Sequence, residues 1–437
     1  MAEEVERILA LGHHGGGRAA LLGDLLHRAV AGVVDVAAGP EEEALSGARN
    51  VTTPARSAPP AAPRSSPRRL RPGAAGEAHE DGEDDGAGHA RSIRDPLEFL
   101  ACRPGTRDPD HTLKVTILTY LDAEKQKEFD EVVPQIARAL RKKDHRVSIL
   151  GVHGDVKKLL FGLERRKPDL IFNLMEMFAD NMFADIAVTG LLDLLGYRYT
   201  GSGPGDLYLG QDKALAKKLL AFEHILYPRY AVFSKDADLE TGGNLRMPLF
   251  VKPLRTDSSI GIEAKKALVT DAMQLMRRVL KIHEDLGDSA LAEEYIEGRE
   301  FYVGVLGNQD AVALPPIEMD FSGLPEGALH VADSAAKWEE SSKEYKGTRS
   351  VIAAVPDELR ARLQKASLDA YRALRVRDYG RVDLRLTDTG DIYVLEVNAS
   401  CYLVKDGEYA RAAAAAGIDY TELIDRIVGL AMARYQK

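Results

Sequence analysis

Two carboxylates and one amide near the C-terminus form a pattern suited to holding a cation. Residues 380–398 read GRVDLRLTDTGDIYVLEVN, two alternating stretches around a short turn, which predicts a hairpin. Because strand side chains alternate between faces, Asp383 shares a face with Arg381, and pairing about the turn would bring Asp383, Glu396 and Asn398 together. Such oxygen ligands suit Mg²⁺, which proteins hold with one or two carboxylates and substrate phosphates. The alternative is an ordinary solvated acidic face.

A lysine followed by a small polar loop predicts a phosphate-binding segment. Lys252 lies near the end of the apolar run 249–254, and the loop at 257–262 reads DSSIGI. Backbone N–H groups and hydroxyls of such a loop can cradle phosphoryl oxygens while the ammonium group supplies a point charge. The sequence contains no GxxxxGK[ST] motif, so a Walker-type site is not supported.

An acidic segment at 293–300, reading EEYIEGRE, allows two interpretations. It is either a turn between strands or the hinge of a nucleotide site. In the second interpretation, backbone groups near Glu294 and Ile296 contact an adenine edge. Glu300 then accepts hydrogen bonds from ribose hydroxyls.

These segments need a framework, and the pattern from residue 113 onward predicts an α/β fold. Short apolar runs rich in β-branched residues alternate with amphipathic helices, which favours a parallel sheet with right-handed crossovers. Strands are predicted at 113–121, 145–152 and 168–174, with helices at 155–166, 184–195 and 206–222. Strands and hairpins of an α+β region are predicted between 249 and 319, and further helices at 357–375 and 419–435.

The composition excludes several classes of function. The chain has 437 residues and a net charge of −10, whereas binders of nucleic acid or anionic membranes need a basic footprint. The two cysteines, Cys102 and Cys401, cannot form a disulfide framework or a paired-cysteine zinc site. No uncharged apolar run reaches the roughly 18 residues of a membrane span. The acidic N-terminal sequence is not a secretory signal, so we expect a cytoplasmic protein.

The first quarter of the chain differs from the rest in amino-acid composition. Residues 18–38 place apolar side chains at helical spacing, so 1–49 is predicted as a helical extension. Residues 50–112 are predicted as a disordered linker that is first proline-rich and then acidic.

Seven short motifs occur in one order, and together they resemble the ATP-grasp superfamily, most closely its D-alanine–D-alanine ligase branch. The resemblance covers about 113–437 and is carried by TGSG at 200–203, DK at 212–213, FVKP with SSIGI, LAEEYIEGREFYVGVLG at 291–307, AKW at 336–338, GRVDLRL and LEVN. It implies an α/β and α+β ATP-grasp fold. The implied domains are a Rossmann-like parallel-sheet domain at 113–205 and two α+β subdomains at 206–296 and 297–437.

The resemblance also implies a role for each matching residue. Its ATP-binding residues correspond to Lys213, Lys252, Ser258, Ser259, Glu293, Glu294, Ile296, Glu300 and Lys337. Arg381, Lys337 and Ser258 are the implied catalytic residues, with Arg381 stabilising an acyl phosphate and a tetrahedral intermediate. Asp383, Glu396 and Asn398 are the implied ligands of two Mg²⁺ ions, with Mn²⁺ as an alternative. The implied partners are amino-acid or peptide substrates, and the implied assembly is a homodimer.

The sequence departs from the family where amino-acid substrates should bind. The region from the end of the first predicted strand, residues 119–124, reads TYLDAE, in which only Glu124 can replace the amine-binding glutamate. The stretch after Asn173 is bulkier and more apolar, so Met175, Met177, Phe178, Met182 and Phe183 either line a substrate pocket or pack in the core. We therefore expect an ATP-dependent carboxylate–amine ligase working through an acyl phosphate. The alternatives are an authentic D-alanine–D-alanine ligase, a nucleotide-binding regulatory protein without ligase activity, or a small-molecule kinase.

Overall fold

The structure is a computed structural model, and it describes most of the chain from residue 112 onward. The described residues are 112–124, 126, 128–179, 181, 183–235, 240–241, 245–256, 264–332, 339 and 341–436. The predictions for the extension at 1–49, and for all of the linker but its last residue, lie outside them. No described helix is long and apolar enough to cross a membrane.

A parallel sheet of three strands opens the described part. Its strands are β1 (Lys114–Tyr120), β2 (Arg146–Val152) and β3 (Leu170–Leu174), in the order β2-β1-β3. Helices α1 (Val132–Lys142), α2 (Val156–Arg166) and α3 (Ala184–Leu194) connect and follow them. Residues 115–119 of β1 and 170–173 of β3 are buried whichever face they lie on, which is why these strands read as apolar runs in the sequence. The predicted parallel sheet is confirmed.

Two helices cover the stretch 206–222 that the sequence predicted to be helical. These are α4 (Pro204–Gln211) and α5 (Lys213–Phe222). The break falls at Asp212, whose backbone is extended and whose side chain accepts a hydrogen bond from the backbone N–H of Leu215. An aspartate N-cap of this kind starts a new helix, so the predicted helical stretch is divided into two helices.

The second sheet has five strands in the order β5-β4-β8-β6-β7, all antiparallel. They are β4 (Tyr230–Phe233), β5 (Glu240–Thr241), β6 (Leu249–Pro253), β7 (Leu268–Val269) and β8 (Ala290–Glu294). Helices α6 (Ala264–Ala267) and α7 (Ala272–Asp285) belong to the same region.

The third sheet is antiparallel and runs β12-β11-β9-β13-β14, with β10 paired to β9. Its strands are β9 (Arg299–Leu306), β10 (Val312–Ala313), β11 (Ile317–Asp320), β12 (Arg349–Ile352), β13 (Tyr379–Leu386) and β14 (Ile392–Asn398). The remaining helices are α8 (Lys343–Gly347), α9 (Asp357–Ala373), α10 (Glu408–Ala415) and α11 (Tyr420–Arg434). Consecutive strands β8 and β9 belong to different sheets, so residues 295–298 pass from one sheet to the other.

The C-terminal helix α11 packs in one hydrophobic core with β1 and α1 from the start of the described chain. Ile424, Ile427 and Val428 of α11 are fully buried in the core cluster that contains β1 and α1. Each such side chain stabilises the fold by roughly 1.5–3 kcal/mol relative to exposure. Lys143 adds an ion pair to Glu422 at 2.6 Å. The domain boundaries predicted from the sequence stay a prediction.

Candidate functional site

One large cavity, of about 1030 Å³, collects the polar residues singled out in the sequence. All ten candidate site residues that the structure describes line it: Lys213, Lys252, Glu293, Glu294, Ile296, Glu300, Arg381, Asp383, Glu396 and Asn398. The other three candidates, Ser258, Ser259 and Lys337, lie outside the described residues. The cavity is at the upper end of the range typical of small-molecule sites.

The hairpin of β13 and β14 forms as predicted. Arg381 pairs with Asn398 and Asp383 with Glu396 in the strand register, and a bulge follows Asp383. The Asn398 amide nitrogen lies 3.3 Å from Asp383 Oδ2. The tight turn and the period of two bring two carboxylates and one amide to the same patch of the sheet.

Arg381 is the main partner of Asp383 in this structure. Its Nε and Nη2 donate to the two carboxylate oxygens at 2.7 and 2.9 Å, which is bidentate geometry. The guanidinium carbon also lies 4.5 Å from the centre of the Tyr302 ring. Burial by itself would lower the pKa of Arg381, but Asp383 outweighs burial and raises that pKa well above its ordinary value. Arg381 is therefore a fixed positive charge in the cavity.

The donor set of the hairpin fits a hard divalent cation, although it contains only two carboxylates. No cluster of three or more His, Cys, Asp or Glu side chains suited to a metal occurs among the described residues. Asp383, Glu396 and the Asn398 amide oxygen still supply three oxygen donors, and Mg²⁺ usually takes its other ligands from water and phosphates. Because both Asp383 oxygens accept from Arg381, a cation at this site would share or displace that guanidinium group.

Two predicted lysines lie at what we call the lysine end of the cavity, defined by Lys213, Lys252 and Glu293. Lys213 begins α5, and its Nζ is 3.6 Å from Glu396 Oε1 and donates to the carbonyl of Thr256 at 3.2 Å. Lys252 lies on β6 with its Nζ 2.9 Å from Glu293 Oε2. Two ammonium groups from different elements thus face the same space.

A third lysine, Lys217, escaped the sequence prediction. It is fully buried on α5, one turn after Lys213, and its Nζ lies 2.7 Å from Glu293 Oε1. Burial lowers the pKa of Lys217, while Lys217 and Lys252 outweigh burial at Glu293 and hold the pKa of that carboxyl below its ordinary value. Glu293 is thus fixed between two lysines. The spacing of four residues from Lys213 was the one signal that could have revealed Lys217.

The crossing segment 295–298 forms another wall of the cavity. Glu294 Oε1 accepts from the backbone N–H of Arg246 at 2.9 Å, and the backbone N–H of Tyr295 donates to Pro248 O at 3.0 Å. Ile296 lines the cavity directly. Beyond the crossing, the buried Glu300 accepts from the Tyr302 hydroxyl at 2.9 Å and pairs with Arg385 at 2.5 Å.

A small recess of about 20 Å³ lies beside the large cavity and shares six lining residues with it. We call it the tyrosine recess and define it by the shared residues Tyr120, Asp130, Glu176, Ser400, Cys401 and Tyr402. Tyr120 ends β1 and Glu176 follows β3, so the recess lies at the carboxyl ends of parallel strands, where α/β proteins commonly bind ligands.

Tyrosine hydroxyls hold the two carboxylates of the recess. The Tyr402 hydroxyl donates to Asp130 Oδ1 at 2.7 Å. Burial, and then Glu176, raise the pKa of Tyr120; burial, and then the hydrogen bond to Asp130, raise the pKa of Tyr402. Both phenols therefore keep their protons and act as donors. None of the described residues lining the recess is Lys, Arg or His.

The apolar residues expected to line a substrate pocket divide between the two alternatives. Met177 lines the cavity, whereas Met175 is buried in the core and Phe178 packs against the same cluster. Phe183 is partly exposed, and Met182 lies outside the described residues. Of the described residues of this apolar stretch, only Met177 lines the cavity, so the stretch as a whole does not form one side of a substrate pocket.

Two single residues, Glu124 and Cys401, bear on the substrate side of the cavity. Glu124 pairs with Lys158, is 56% exposed and is absent from the described cavity lining, so the amine-binding role considered for it stays a prediction. Cys401 lines the cavity, and burial raises the pKa of its thiol to about 12. A thiol of that pKa stays protonated near neutrality, which agrees with a pocket-lining role rather than a nucleophilic one.

Comparison with known proteins gives a consistent result. The family model described as "D-ala D-ala ligase C-terminus" matches residues 218–429. A D-alanine–D-alanine ligase of Carboxydothermus hydrogenoformans is 30% identical over 69% of this chain and 93% of its own length. One from Nitrosospira multiformis is 35% identical over 56% of this chain and 75% of its own. An uncharacterized protein of Sinorhizobium fredii, y4sG, is 32% identical over 70% of this chain and 88% of its own.

Solved structures agree on the fold. A D-alanine–D-alanine ligase from Bacillus anthracis, crystallised with ATP, matches with a TM-score of 0.59 at 24% identity and covers 74% of this chain and 99% of that one. The VanG D-Ala:D-Ser ligase of Enterococcus faecalis matches with a TM-score of 0.55 at 21% identity, covering 74% of this chain and 100% of that one. The predicted ATP-grasp fold class is confirmed.

Proposed function

This chain belongs to the D-alanine–D-alanine ligase family of ATP-dependent ligases, and from that premise we propose that it joins a carboxylate to an amine through an acyl phosphate. The observation that carries the proposal is the shared cavity. The lysine end, the Arg381–Asp383 hairpin and the tyrosine recess all line it, so nucleotide, reacting carboxylate and amine can meet in one space.

The lysine end is proposed to hold the nucleotide. Lys213 and Lys252 supply positive charge for the phosphates, with the backbone near Glu294 and Ile296 facing adenine and Glu300 accepting from the ribose. Ser258, Ser259 and Lys337 belong to this proposal as further phosphate contacts. Glu293, one of the implied ATP-binding residues, is proposed to hold Lys217 and Lys252 in place, because its carboxylate oxygens lie 2.7 and 2.9 Å from their ammonium groups.

Asp383, Glu396 and Asn398 are proposed to hold Mg²⁺, two ions in the full complex, with Mn²⁺ as a substitute. When bound, the cation supplies charge neutralisation at the phosphate oxygens. Arg381 lies beside these ligands and is proposed to pair with the acyl phosphate and with the tetrahedral oxyanion. In the structure, which contains no substrate, the hydrogen bonds to Asp383 hold the Arg381 guanidinium group in the cavity.

The proposed reaction needs no side-chain nucleophile. An oxygen of the substrate carboxylate attacks the γ-phosphorus, the bond to the β-phosphate oxygen breaks, and ADP leaves with the bonding electron pair. The neutral amine then attacks the acyl carbon, phosphate leaves with the C–O electron pair, and the proton lost by the nitrogen passes to the departing phosphate or to water. Lys213, Lys252 and Arg381 offset the negative charge that develops, so catalysis is mainly positioning and electrostatics.

The tyrosine recess is proposed to receive the amino group of a substrate. Its Asp130 and Glu176 carboxylates suit an ammonium ion, and their orientation is fixed by Tyr402 and Tyr120. Authentic D-alanine–D-alanine ligation is the second candidate, favoured by the names of the similar ligases from C. hydrogenoformans and N. multiformis.

Product mass spectrometry tests both candidates. The full-length protein is incubated with ATP, Mg²⁺ and a mixed pool of amino acids and dipeptides, and in a separate reaction with D-alanine alone. We expect ADP, phosphate and a new amide product with the pool. A product from D-alanine alone would favour the second candidate, a stable phosphorylated substrate would indicate a kinase, and no ADP release in either reaction would contradict the proposal.

A further inference from the structure

Arg385 has no role in the proposed reaction, yet it lines the cavity and is only 3% exposed. It lies on β13 two residues after Asp383, hence on the same face of the sheet. Its Nη2 lies 2.5 Å from Glu300 Oε2, and its Nη1 donates to the carbonyls of Gly298 at 3.2 Å and His330 at 3.1 Å. Three neighbouring segments therefore meet at one guanidinium group.

The segments that Arg385 joins all border the same part of the cavity. Gly298 belongs to the crossing segment, whose Ile296 lines the cavity, and His330 precedes the lining residue Val331. Gly298 has a φ of +143°, and a Cβ there would lie 2.0 Å from the carbonyl oxygen of Leu386, so this bend is pressed directly against the end of β13. The position of Arg385 is thus set by backbone on both sides.

Glu300 is oriented by two donors and retains capacity for others. The Tyr302 hydroxyl donates to Oε1 at 2.9 Å and Arg385 takes Oε2. An ionised carboxylate offers about four lone-pair directions, so about two remain for a ligand. Because Glu300 is buried, the direction of those remaining lone pairs depends on the two protein donors that fix the carboxylate plane.

A second arginine–glutamate pair on the same sheet gives an internal comparison. Arg299, which precedes Glu300 on β9, donates to both oxygens of Glu318 on the adjacent strand β11 at 2.7 Å, but the Arg299 side chain is 45% exposed. Neither Arg299 nor Glu318 is among the described cavity-lining residues. The two pairs have similar chemistry, and only the Arg385–Glu300 pair faces the proposed nucleotide.

We propose that Arg385 is a positioning residue that orients Glu300 toward the ribose hydroxyls and thereby sets the selectivity for ribonucleotide over deoxyribonucleotide. The inference rests on the proposed function, in which Glu300 receives the ribose. Arg385 needs no contact with the nucleotide for this role. With Tyr302 as its only donor, the Glu300 carboxylate could rotate about a single hydrogen bond. Removing Arg385 should therefore lower the preference for ATP over a deoxynucleotide more than it lowers kcat.

The experiment compares ATP, 2′-deoxy-ATP and 3′-deoxy-ATP in the full-length enzyme with Mg²⁺. We measure kcat and KM for the wild type, Arg385→Gln, Arg385→Lys and the matched control Arg299→Gln. The wild type should prefer ATP over a deoxynucleotide by about tenfold or more in kcat/KM, the effect of one hydrogen bond to a charged acceptor. Arg385→Gln should reduce this preference to about twofold, mostly through KM for ATP, while Arg385→Lys keeps part of it and Arg299→Gln keeps all of it.

Several outcomes would overturn the inference. An Arg385→Gln enzyme that keeps the full preference would show that Arg385 is merely structural, and so would an equal loss of preference in Arg299→Gln. If Arg385→Gln does not fold, as judged by its thermal unfolding, an unchanged preference in Arg385→Lys contradicts the proposal. A wild-type enzyme that binds ATP and both deoxynucleotides equally would contradict the proposal that Glu300 accepts hydrogen bonds from the ribose hydroxyls.

The failure of this inference is distinguishable from failure of the proposed function. If no substrate gives turnover, nucleotide dissociation constants measured by calorimetry replace KM for the same variants. Ribose selectivity that depends on Arg385 would then survive without ligase activity. Conversely, an active ligase whose selectivity ignores Arg385 would contradict the inference and leave the proposed function standing.

Discussion

At the lysine end of the cavity buried acids are matched by basic side chains, whereas the acids of the tyrosine recess are held by phenols. Glu293 lies between Lys217 and Lys252, and beyond the crossing segment Glu300 likewise pairs with Arg385. In the recess, Asp130 accepts from Tyr402. Matched ion pairs fix a geometry before any ligand arrives. Carboxylates held by neutral donors keep their negative charge available, which suits a cationic substrate group.

The hairpin of β13 and β14 lines the same cavity as the lysine end and the tyrosine recess, and it carries the proposed metal ligands and Arg381. Changing it should therefore have the largest effect on turnover. Asp383→Asn and Arg381→Met are each expected to lower kcat about 10²- to 10³-fold, because each removes a charge that the proposed transition state requires. Steady-state ADP release measures this. Arg360→Met, which breaks an exposed pair with Asp357, is the matched control and should leave kcat unchanged. Retained turnover in Asp383→Asn would contradict the assignment of the hairpin.

Lys217→Met should damage the lysine end alone. It removes one partner of a buried carboxylate, so we expect the free energy of unfolding to fall by about 3–5 kcal/mol and KM for ATP to rise as Glu293 draws Lys252 toward itself. Denaturant titration and steady-state kinetics measure the two effects. The exposed neighbour Lys218→Met is the control, with a change within about 0.5 kcal/mol. An equal rise in KM for the amine substrate would contradict the prediction that Lys217→Met affects the lysine end alone.

Glu176→Gln should damage the tyrosine recess alone and give the smallest effect. Loss of a charged acceptor is expected to raise KM about tenfold for the substrate whose ammonium group the recess holds, with KM for ATP unchanged. Substrate titrations at saturating ATP measure it once a substrate is known. Glu124→Gln, which changes an exposed carboxylate absent from the described cavity lining, is the control. A Glu176→Gln enzyme with an unchanged amine KM would place the amine elsewhere.

Local patterns in the sequence were enough to predict the hairpin. The alternation along 380–398 and its short turn fix which residues pair, so Asp383 and Glu396 were expected to face each other and do so. The same reasoning did not indicate the break at Asp212, where a capping aspartate divides a stretch that looks continuously helical. There the hydrogen bond of one side chain decided the structure against helical propensity.

The sequence alone therefore determined the order of elements, the fold class and the chemical types at the lysine end. Only the tertiary structure decided which charges meet between elements that are far apart in the chain. Lys217 reaches Glu293 from another element, and Asp130 meets Tyr402 across 272 residues of chain. The pairing of Glu300 with Arg385 likewise spans two strands separated by 85 residues. Such contacts depend on how helices and sheets pack, and because packing depends on the whole chain at once, no local spacing encodes it.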